Sequence, residues 1–236
     1  GILVWEEIPW CRGGLGGEKY KEQARRMLTN QIMQHRHHPS IILWGLGNEN
    51  DWPNDFEEYS NDFLKGYIGN DKVAAEKIRE FMKELHDLSH RLDNTRLTAI
   101  RRCDFCRDIV DVYSPSIWAG WYRGIITDYK RVTESEIKKV SRFFHAEWGG
   151  DSHARRHSEE PFRYLDAIEP GTKADERAGD ASLYGGKARA SKDGEWTETY
   201  ICKLIDWHLK EQENMPTLTG SAYWVFKDFA TPLRPE

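Results

Sequence analysis

Three glutamates each stand at or just past the end of an apolar segment of the sequence. They are Glu7 in EEIPW, Glu49 in GNEN and Glu147 in HAEWGG. Each apolar segment suits a strand of a buried parallel sheet, and the C-terminal ends of parallel barrel strands meet at one mouth. Two carboxyl groups that face each other there are what cleavage of a glycosidic bond requires. One protonates the leaving oxygen, while the other attacks the anomeric carbon or activates water.

Two non-catalytic interpretations of these acids remain open. A single glutamate in a loop is usually a solvated side chain, because Glu is rarely buried unless it is paired. A sugar-binding barrel without activity would keep the ten tryptophans and ten tyrosines, whose flat rings stack on sugars, and would lose an acid. The joint occurrence of the acids at three strand ends favours the catalytic interpretation.

Metal and redox sites have weaker support in the sequence. Cys103 and Cys106 form a CxxC motif, but Cys11 and Cys202 stand alone and do not supply the second ligand pair of a zinc ribbon. Five of the nine histidines lie in HRHH and SHARRH, at a helix end and in a loop, and no His-x-His stands at a strand end. We therefore expect no metal and no cofactor, and ordinary thiols at Cys103 and Cys106.

The elements that must position the glutamates alternate between strands and helices. Strands are predicted at 2–6, 41–46, 96–100, 111–118, 142–148 and 220–226. Helices are predicted at 18–37, 73–92 and 197–212, with a short helix through Ile137 and Val140. The stretch 170–195, rich in Gly, Lys, Ala and Asp, is predicted to have little order. This alternation favours an α/β fold with a parallel sheet, and six strands are two fewer than a (β/α)8 barrel needs.

The composition excludes two classes of partner. The chain has 236 residues, of which 39% are hydrophobic and 31% charged, as expected for one soluble globular domain. No apolar run approaches the roughly 18 residues that span a membrane. A net charge of -5 gives no basic surface for nucleic acid. We expect no membrane and no nucleic-acid partner, whereas the compartment is left undetermined.

Three segments resemble the catalytic barrel of glycoside hydrolase family 2, which contains β-galactosidases, β-glucuronidases and β-mannosidases. They are HRHHPSIILWGLGNEN, RFFHAEWGG and GSAYWVFKDFATP. The resemblance spans the whole chain and implies that residues 1–236 are strands 3 to 8 of a TIM barrel, with the first two βα units missing. It also implies a partial catalytic domain from a longer multidomain hydrolase, which can form a homo-oligomer.

The edges of such a partial barrel carry a further expectation. A barrel closes by pairing its last strand with its first, so ILVWE and AYWVF would each expose an unpaired apolar edge. We expect the 236-residue segment to aggregate or stay partly unfolded when it is expressed alone, and to be inactive.

The resemblance also implies roles for individual residues. Glu49 maps to the acid/base and Glu147 to the nucleophile of a double displacement that retains configuration. Asn48 maps to the residue that binds the sugar hydroxyl next to the reacting carbon. Trp224 maps to the aromatic that lines the sugar site at the end of strand eight.

Several further residues are candidates for the substrate site, together with Glu7. His145 lies two residues before Glu147 on the same strand face, and it either donates to the site or is a core histidine bonded to a neighbour. Many family members have a tyrosine that touches the nucleophile at the end of strand six. Here Trp118 stands at that place and Tyr122 follows four residues later.

Arg101 and Arg102 end the apolar segment RLTAIRR. Either residue can hold a carboxylate in place or pair with an acid on the rim of the site. We expect a position on the rim for Arg102.

A magnesium site and the sugar remain to be assigned. Some family β-galactosidases bind magnesium through an acid and a histidine just beyond strand three, where this chain has Cys11 and Gly13. Neither is a hard-oxygen ligand, so we predict metal-independent catalysis.

The motifs EWGGDSHARRHSE and KDFATPLRPE most resemble β-galactosidases, which we place first, with β-glucuronidase and β-mannosidase as alternatives. NEN is shared with β-mannosidases, and HSEEP resembles a β-glucuronidase loop. In glucuronidases an Asn-x-Lys pair beyond strand eight grips the uronate carboxylate, and the given sequence stops at Glu236, before that place. Arg155 and Arg156 either bind an anionic sugar or form a solvated basic run.

Overall fold

The computed structural model describes residues 1–12, 14–51, 72–121, 125–150 and 197–227. The strands are β1 (Val4–Glu7), β2 (Ile41–Asn48), β3 (Leu97–Arg101), β4 (Val112–Ser114), β5 (His145–Gly149) and β6 (Ser221–Trp224). The helices are α1 (Glu18–His35), α2 (Lys72–Leu92), α3 (Tyr129–Ile137) and α4 (Glu198–Glu213). The chain forms two compact units. The first unit is Gly1–Pro115 with Val140–Phe143, and the second unit is Ser116–Lys139 with Phe144–Glu236.

The first unit contains a four-stranded parallel sheet in the order β1-β2-β3-β4. Its register pairs Leu43 with both Trp5 and Leu97, and Ala99 with Val112. Parallel neighbours need a long crossover, which α1 supplies between β1 and β2 and α2 supplies between β2 and β3. The alternation of strands and helices in the sequence therefore predicted this sheet correctly.

The core of the first unit explains the apolar run that precedes Glu49. Within β2, Trp44 and Leu46 are fully buried, because helices cover the sheet. Each helix buries one stripe at helical spacing: Ala24, Leu28 and Ile32 on α1, and Ile78, Phe81, Met82 and Leu85 on α2. Burying a side chain of this size is worth roughly 1.5–3 kcal/mol, so these stripes hold β2 in place.

Asp93 fixes the turn from α2 into β3. Its Oδ1 accepts hydrogen bonds from the Thr95 backbone N–H and hydroxyl, and its Oδ2 accepts from Trp44 Nε1 (3.1 Å) and Arg96 Nη1 (2.8 Å). Burial raises the pKa of Asp93, but the hydrogen bonds from Thr95, Arg96 and Trp44 outweigh it and lower the pKa to about 2. The end of α2 is thereby tied to β2.

The second unit pairs β5 with β6 in parallel, with His145 opposite Ser221 and Gly149 opposite Trp224. Thr197 caps α4 by accepting a hydrogen bond from the Tyr200 backbone N–H (3.1 Å). Apolar side chains of α4 and of the segment before α3 form a buried cluster of Ile126, Tyr200, Ile201 and Leu204.

Several predicted boundaries differ from the structure, by at most four residues. The strand predicted at 111–118 ends at Ser114, because Pro115 follows and has no N–H for a sheet hydrogen bond. The helix predicted through Val140 ends at Ile137, and Val140 packs against the core of the first unit. The stretch 170–195 lies outside the described residues. None of the helices in the described ranges is both long and apolar enough to cross a membrane.

Candidate active site

Glu49 lies directly after β2, as the sequence predicted. Its side chain is 1% exposed, and its backbone N–H donates to the Arg101 carbonyl (2.9 Å) at the end of β3. The sheet therefore holds this glutamate rigidly at the C-terminal edge of the first unit.

Three arginines contact the Glu49 carboxylate. Arg101 Nη2 donates to Oε1 (2.9 Å), Arg102 Nη1 lies 3.4 Å from the same oxygen, and Arg12 Nε donates to Oε2. The expectation that Arg102 lies on the rim was wrong, because its side chain is fully buried and its Nε also donates to Asp51 Oδ2 (2.8 Å). Burial raises the pKa of Asp51, although Arg102 acts against this.

The backbone around this carboxylate is strained. Within the described part of the chain, the non-glycine residues with positive φ are Arg12 (54°), Glu49 (53°) and Arg102 (50°). Each such residue costs of order 1 kcal/mol or more, and such strain is concentrated at functional sites. All three belong to the same group of ion-paired side chains, which favours a functional role for Glu49.

Asn48 is oriented by two neighbours. Its Oδ1 accepts from Arg101 Nε (2.5 Å), and its Nδ2 contacts Cys11 Sγ (3.3 Å). Gly47 before it must be glycine, since a Cβ there would collide with Asn50 Oδ1 and lie 2.8 Å from the Trp10 carbonyl oxygen. The Gly-Asn-Glu sequence therefore reflects close packing at the strand end.

Other candidates in the first unit have different surroundings. Glu7 ends β1 as predicted, is exposed, and accepts a hydrogen bond from Trp5 Nε1 (3.1 Å). Cys103 and Cys106 are free, fully buried thiols that follow β3, and burial raises the pKa of Cys103 well above its usual value. Gly13 lies outside the described residues.

Glu147 lies within β5 in the second unit, two residues before the strand ends, and is 6% exposed. His145 on the same strand face is fully buried, and its Nδ1 is 2.8 Å from Tyr129 Oη. Tyr129 also accepts a hydrogen bond from Gln212 Nε2 (2.9 Å) and stacks on the His145 ring. These contacts match the alternative of a core histidine bonded to a neighbour.

Two of the predicted aromatic residues belong to one cluster. Trp118 and Trp121 are buried together, and Trp224, the last residue of β6, packs against them. The peptide bond between Trp224 and Val225 is cis. Tyr122, Arg155 and Arg156 lie outside the described residues, so the choice between Trp118 and Tyr122 stays a prediction.

Sequence reasoning missed Arg12 as a partner of Glu49 and misplaced Arg102 on the rim. Arg12 lies 37 positions earlier in the chain, in the loop after β1, and no local motif links the two residues. Arg102 directly follows Arg101, and a continued strand would have pointed the two side chains to opposite faces. A pair of arginines at a strand end was the available signal.

Comparison with known proteins places these observations in a family. The model of the family described as "Glycosyl hydrolases family 2, TIM barrel domain" matches residues 16–158. A crystal structure of Parabacteroides merdae β-glucuronidase is similar over 100% of this chain and 28% of that chain, with 68% identity and a TM-score of 0.82.

Two further proteins are similar over the whole chain. The apo structure of Bacteroides uniformis β-glucuronidase 3 has 56% identity and a TM-score of 0.77, and the match covers 26% of that chain. A putative β-glucuronidase of Formosa agariphila is 44% identical over 236 residues, which are 26% of its length. The chain thus spans about a quarter of the length of these relatives.

Proposed function

Because the chain belongs to glycosyl hydrolase family 2 and is part of its α/β TIM barrel domain, we propose that its parent protein is a retaining β-glycosidase. The observation that carries this proposal is the pair of buried glutamates, Glu49 directly after the parallel strand β2 and Glu147 within the parallel strand β5. Burial of a carboxyl group needs compensation, and for Glu49 three arginines supply it.

In the proposed reaction, Glu147 attacks the anomeric carbon while Glu49 protonates the leaving oxygen, which releases the aglycone. Glu49 then takes a proton from water, and this water displaces Glu147 from the glycosyl-enzyme with overall retention of configuration. Asn48 binds the hydroxyl next to the reacting carbon, oriented by Arg101. The partly buried Trp224 supplies aromatic surface for the sugar, and the buried Trp118 packs in the same cluster.

We infer a terminal β-glucuronide as the substrate, in place of the β-galactoside expected from the sequence. The relatives described above, with 44–68% identity over the whole chain, are named β-glucuronidases. The galactoside expectation rested on the motifs at 147–159 and 227–236, of which residues 151–159 and 228–236 lie outside the described part of the chain.

The substrate class is tested with 4-nitrophenyl β-glucuronide, β-galactoside and β-mannoside. The protein is used with its natural chain ends, and kcat/KM is measured for each sugar. We expect a preference for the glucuronide of about tenfold or more, because a site built for a carboxylate is left with unpaired polar groups by a neutral sugar. Preference for the galactoside or the mannoside would contradict the proposed glucuronide substrate. Absence of turnover of all three substrates by folded protein would contradict the proposed glycosidase activity.

The domain assignment is part of the same proposal. We propose that residues 1–236 belong to one barrel domain of a longer enzyme. This is supported by the match to a barrel-domain family and by relatives about four times as long as the chain.

A further inference from the structure

Three metal-ligating side chains meet on the first unit, outside the proposed glycosidase site. His86 and His90 lie one turn apart on α2, and Asp111 immediately precedes β4. One ligand atom from each residue lies within 4.8 Å of the other two. His90 Nε2 is 2.8 Å from Asp111 Oδ2, and the centroids of the two imidazole rings are 4.6 Å apart.

Thr98 of β3 holds two of these groups in place. Its backbone N–H (2.9 Å) and hydroxyl (3.0 Å) donate to Asp111 Oδ2. The same hydroxyl is 2.8 Å from His86 Nδ1. Hydrogen bonds of this kind orient the ligands of protein metal sites and contribute to metal affinity.

The cluster lies at the opposite edge of the sheet from Glu49. Asp111 and Thr98 are at the N-terminal ends of β4 and β3, whereas Glu49 follows the C-terminal end of β2. Because β2, β3 and β4 are parallel, these ends lie at opposite edges. An ion bound here would link α2 to the start of β4 and would not reach Glu49.

We propose that His86, His90 and Asp111 form a structural site for a divalent transition-metal ion, with zinc as the best match. Two imidazoles and one carboxylate are common zinc ligands, and the spacing of four residues places both histidines on one helix face. The side chains of His90 and Asp111 are 32% and 20% exposed. They can therefore rotate to a shared ion, and water can supply the fourth ligand. Zinc would replace the direct His90–Asp111 hydrogen bond with bonds from both residues to the ion.

Zinc titration of the chelator-treated protein tests the proposal, with the protein used in its natural length. Affinity is measured by calorimetry for the wild type and for His86→Gln, His90→Gln and Asp111→Asn. We expect each variant to bind zinc at least about tenfold more weakly, since even an outer-shell loss costs about 10- to 100-fold. Zinc should also raise the Tm of the wild type and not that of the variants.

The control is the double variant His37→Gln with His38→Gln, in the exposed HRHH segment. It should keep the wild-type zinc affinity, because these histidines lie outside the cluster. Unchanged zinc affinity in all three cluster variants, or an equal loss in the control, would overturn the proposal.

A measurement on the wild type alone tests the site even when a variant fails to fold. Acylation of histidines by diethyl pyrocarbonate is mapped by mass spectrometry with and without zinc. Zinc should protect His86 and His90 and leave His37 and His38 reactive. Equal acylation of His86 and His90 in both samples would refute the site, whether or not the protein is a glycosidase.

Discussion

The carboxylate of Glu49 is bound on both oxygens by guanidinium groups, and the groups differ in their freedom to move. Arg101 and Arg102 are buried, at 6% and 0% side-chain exposure, whereas Arg12 is 28% exposed and lies in a loop. A general acid needs one oxygen available to carry a proton to the leaving group. For Glu49 to act as the proposed acid, Arg12 is therefore the partner that would withdraw, while Arg101 and Arg102 would keep the carboxyl group in position.

A pair of matched substitutions tests this difference. Arg101→Met removes a buried charge from Glu49 and from Asn48, and we expect it to destabilise residues 41–51 by on the order of 3 kcal/mol. Arg12→Met removes a partly exposed pair and should cost less than about 1 kcal/mol. Native-state hydrogen exchange of the peptide 41–51 measures both values, and equal costs would contradict the division of roles.

The proposed nucleophile is tested by chemical rescue. Glu147→Ala should abolish turnover of natural glycosides, because no covalent intermediate can form. Added azide should restore some turnover of a substrate with a good leaving group and yield a glycosyl azide. Glu213→Ala, an exposed acid at the end of α4, is the control and should remain fully active. Near-normal activity of Glu147→Ala, or absence of the azide product, would exclude this role.

At the scale of secondary-structure elements, α4 packs on α3 through a buried histidine. His208 is fully buried and stacks on Tyr129 of α3, with the ring centroids 3.9 Å apart. Burial lowers the pKa of His208 to about 3, and the neighbouring Ala119 backbone acts more weakly in the other direction. The packing of α4 on α3 therefore requires a neutral imidazole.

This burial predicts a loss of stability in mild acid. The folded pKa is below the ordinary value of 6.5, so the unfolded state takes up the proton first as the pH falls below 6.5. Stability should fall between pH 6.5 and about 3, by about 2 kcal/mol at pH 5. Hydrogen exchange of the peptide 198–213 at pH 7 and pH 5 measures the loss.

His208→Phe serves as the comparison, because it keeps an aromatic ring beside Tyr129 and cannot be protonated. Its opening free energy should change less between the two pH values than that of the wild type. His145 is present in both proteins, so its contribution cancels. An identical pH dependence in the two proteins would rule out His208 as the cause.

The elements were more predictable than their side-chain partners. The alternation of six apolar runs with predicted helices was enough to predict that the strands pair in parallel. The signal is strongest at Ile41–Asn48, because a strand that is buried on both faces is apolar at most positions. Strand ends were less certain, and Pro115 shortened β4. The contacts of Glu49 with Arg12 and of His90 with Asp111 join residues 37 and 21 positions apart, which a local pattern does not contain. Their proximity arises from the sheet order.

At the scale of the whole molecule, the charge around Glu49 bears on the need for a metal in catalysis. Three guanidinium groups beside this carboxylate repel a divalent cation, and Cys11 beside Asn48 is a poor ligand for magnesium. We predict that EDTA leaves kcat/KM of the natural-length protein unchanged at 25 °C. If zinc binds at His86, His90 and Asp111, EDTA should lower the Tm without lowering this rate. A rate lost in EDTA and restored by magnesium would contradict metal-independent catalysis.

The first unit is assembled from two separate stretches of chain, which has a consequence for its synthesis on the ribosome. The later stretch supplies the outer neighbour of β4. The Tyr113 N–H donates to the Arg142 carbonyl (3.1 Å), and Tyr113 forms a parallel β-bridge with Phe143. Phe143 follows Ser114 by 29 residues, which take roughly 1.5–6 s to translate at about 5–20 residues per second. During these seconds the outer edge of β4 is open to pairing with another nascent chain. Slow codons between positions 115 and 143 would prolong this exposure and lower the yield of folded protein without changing a single amino acid.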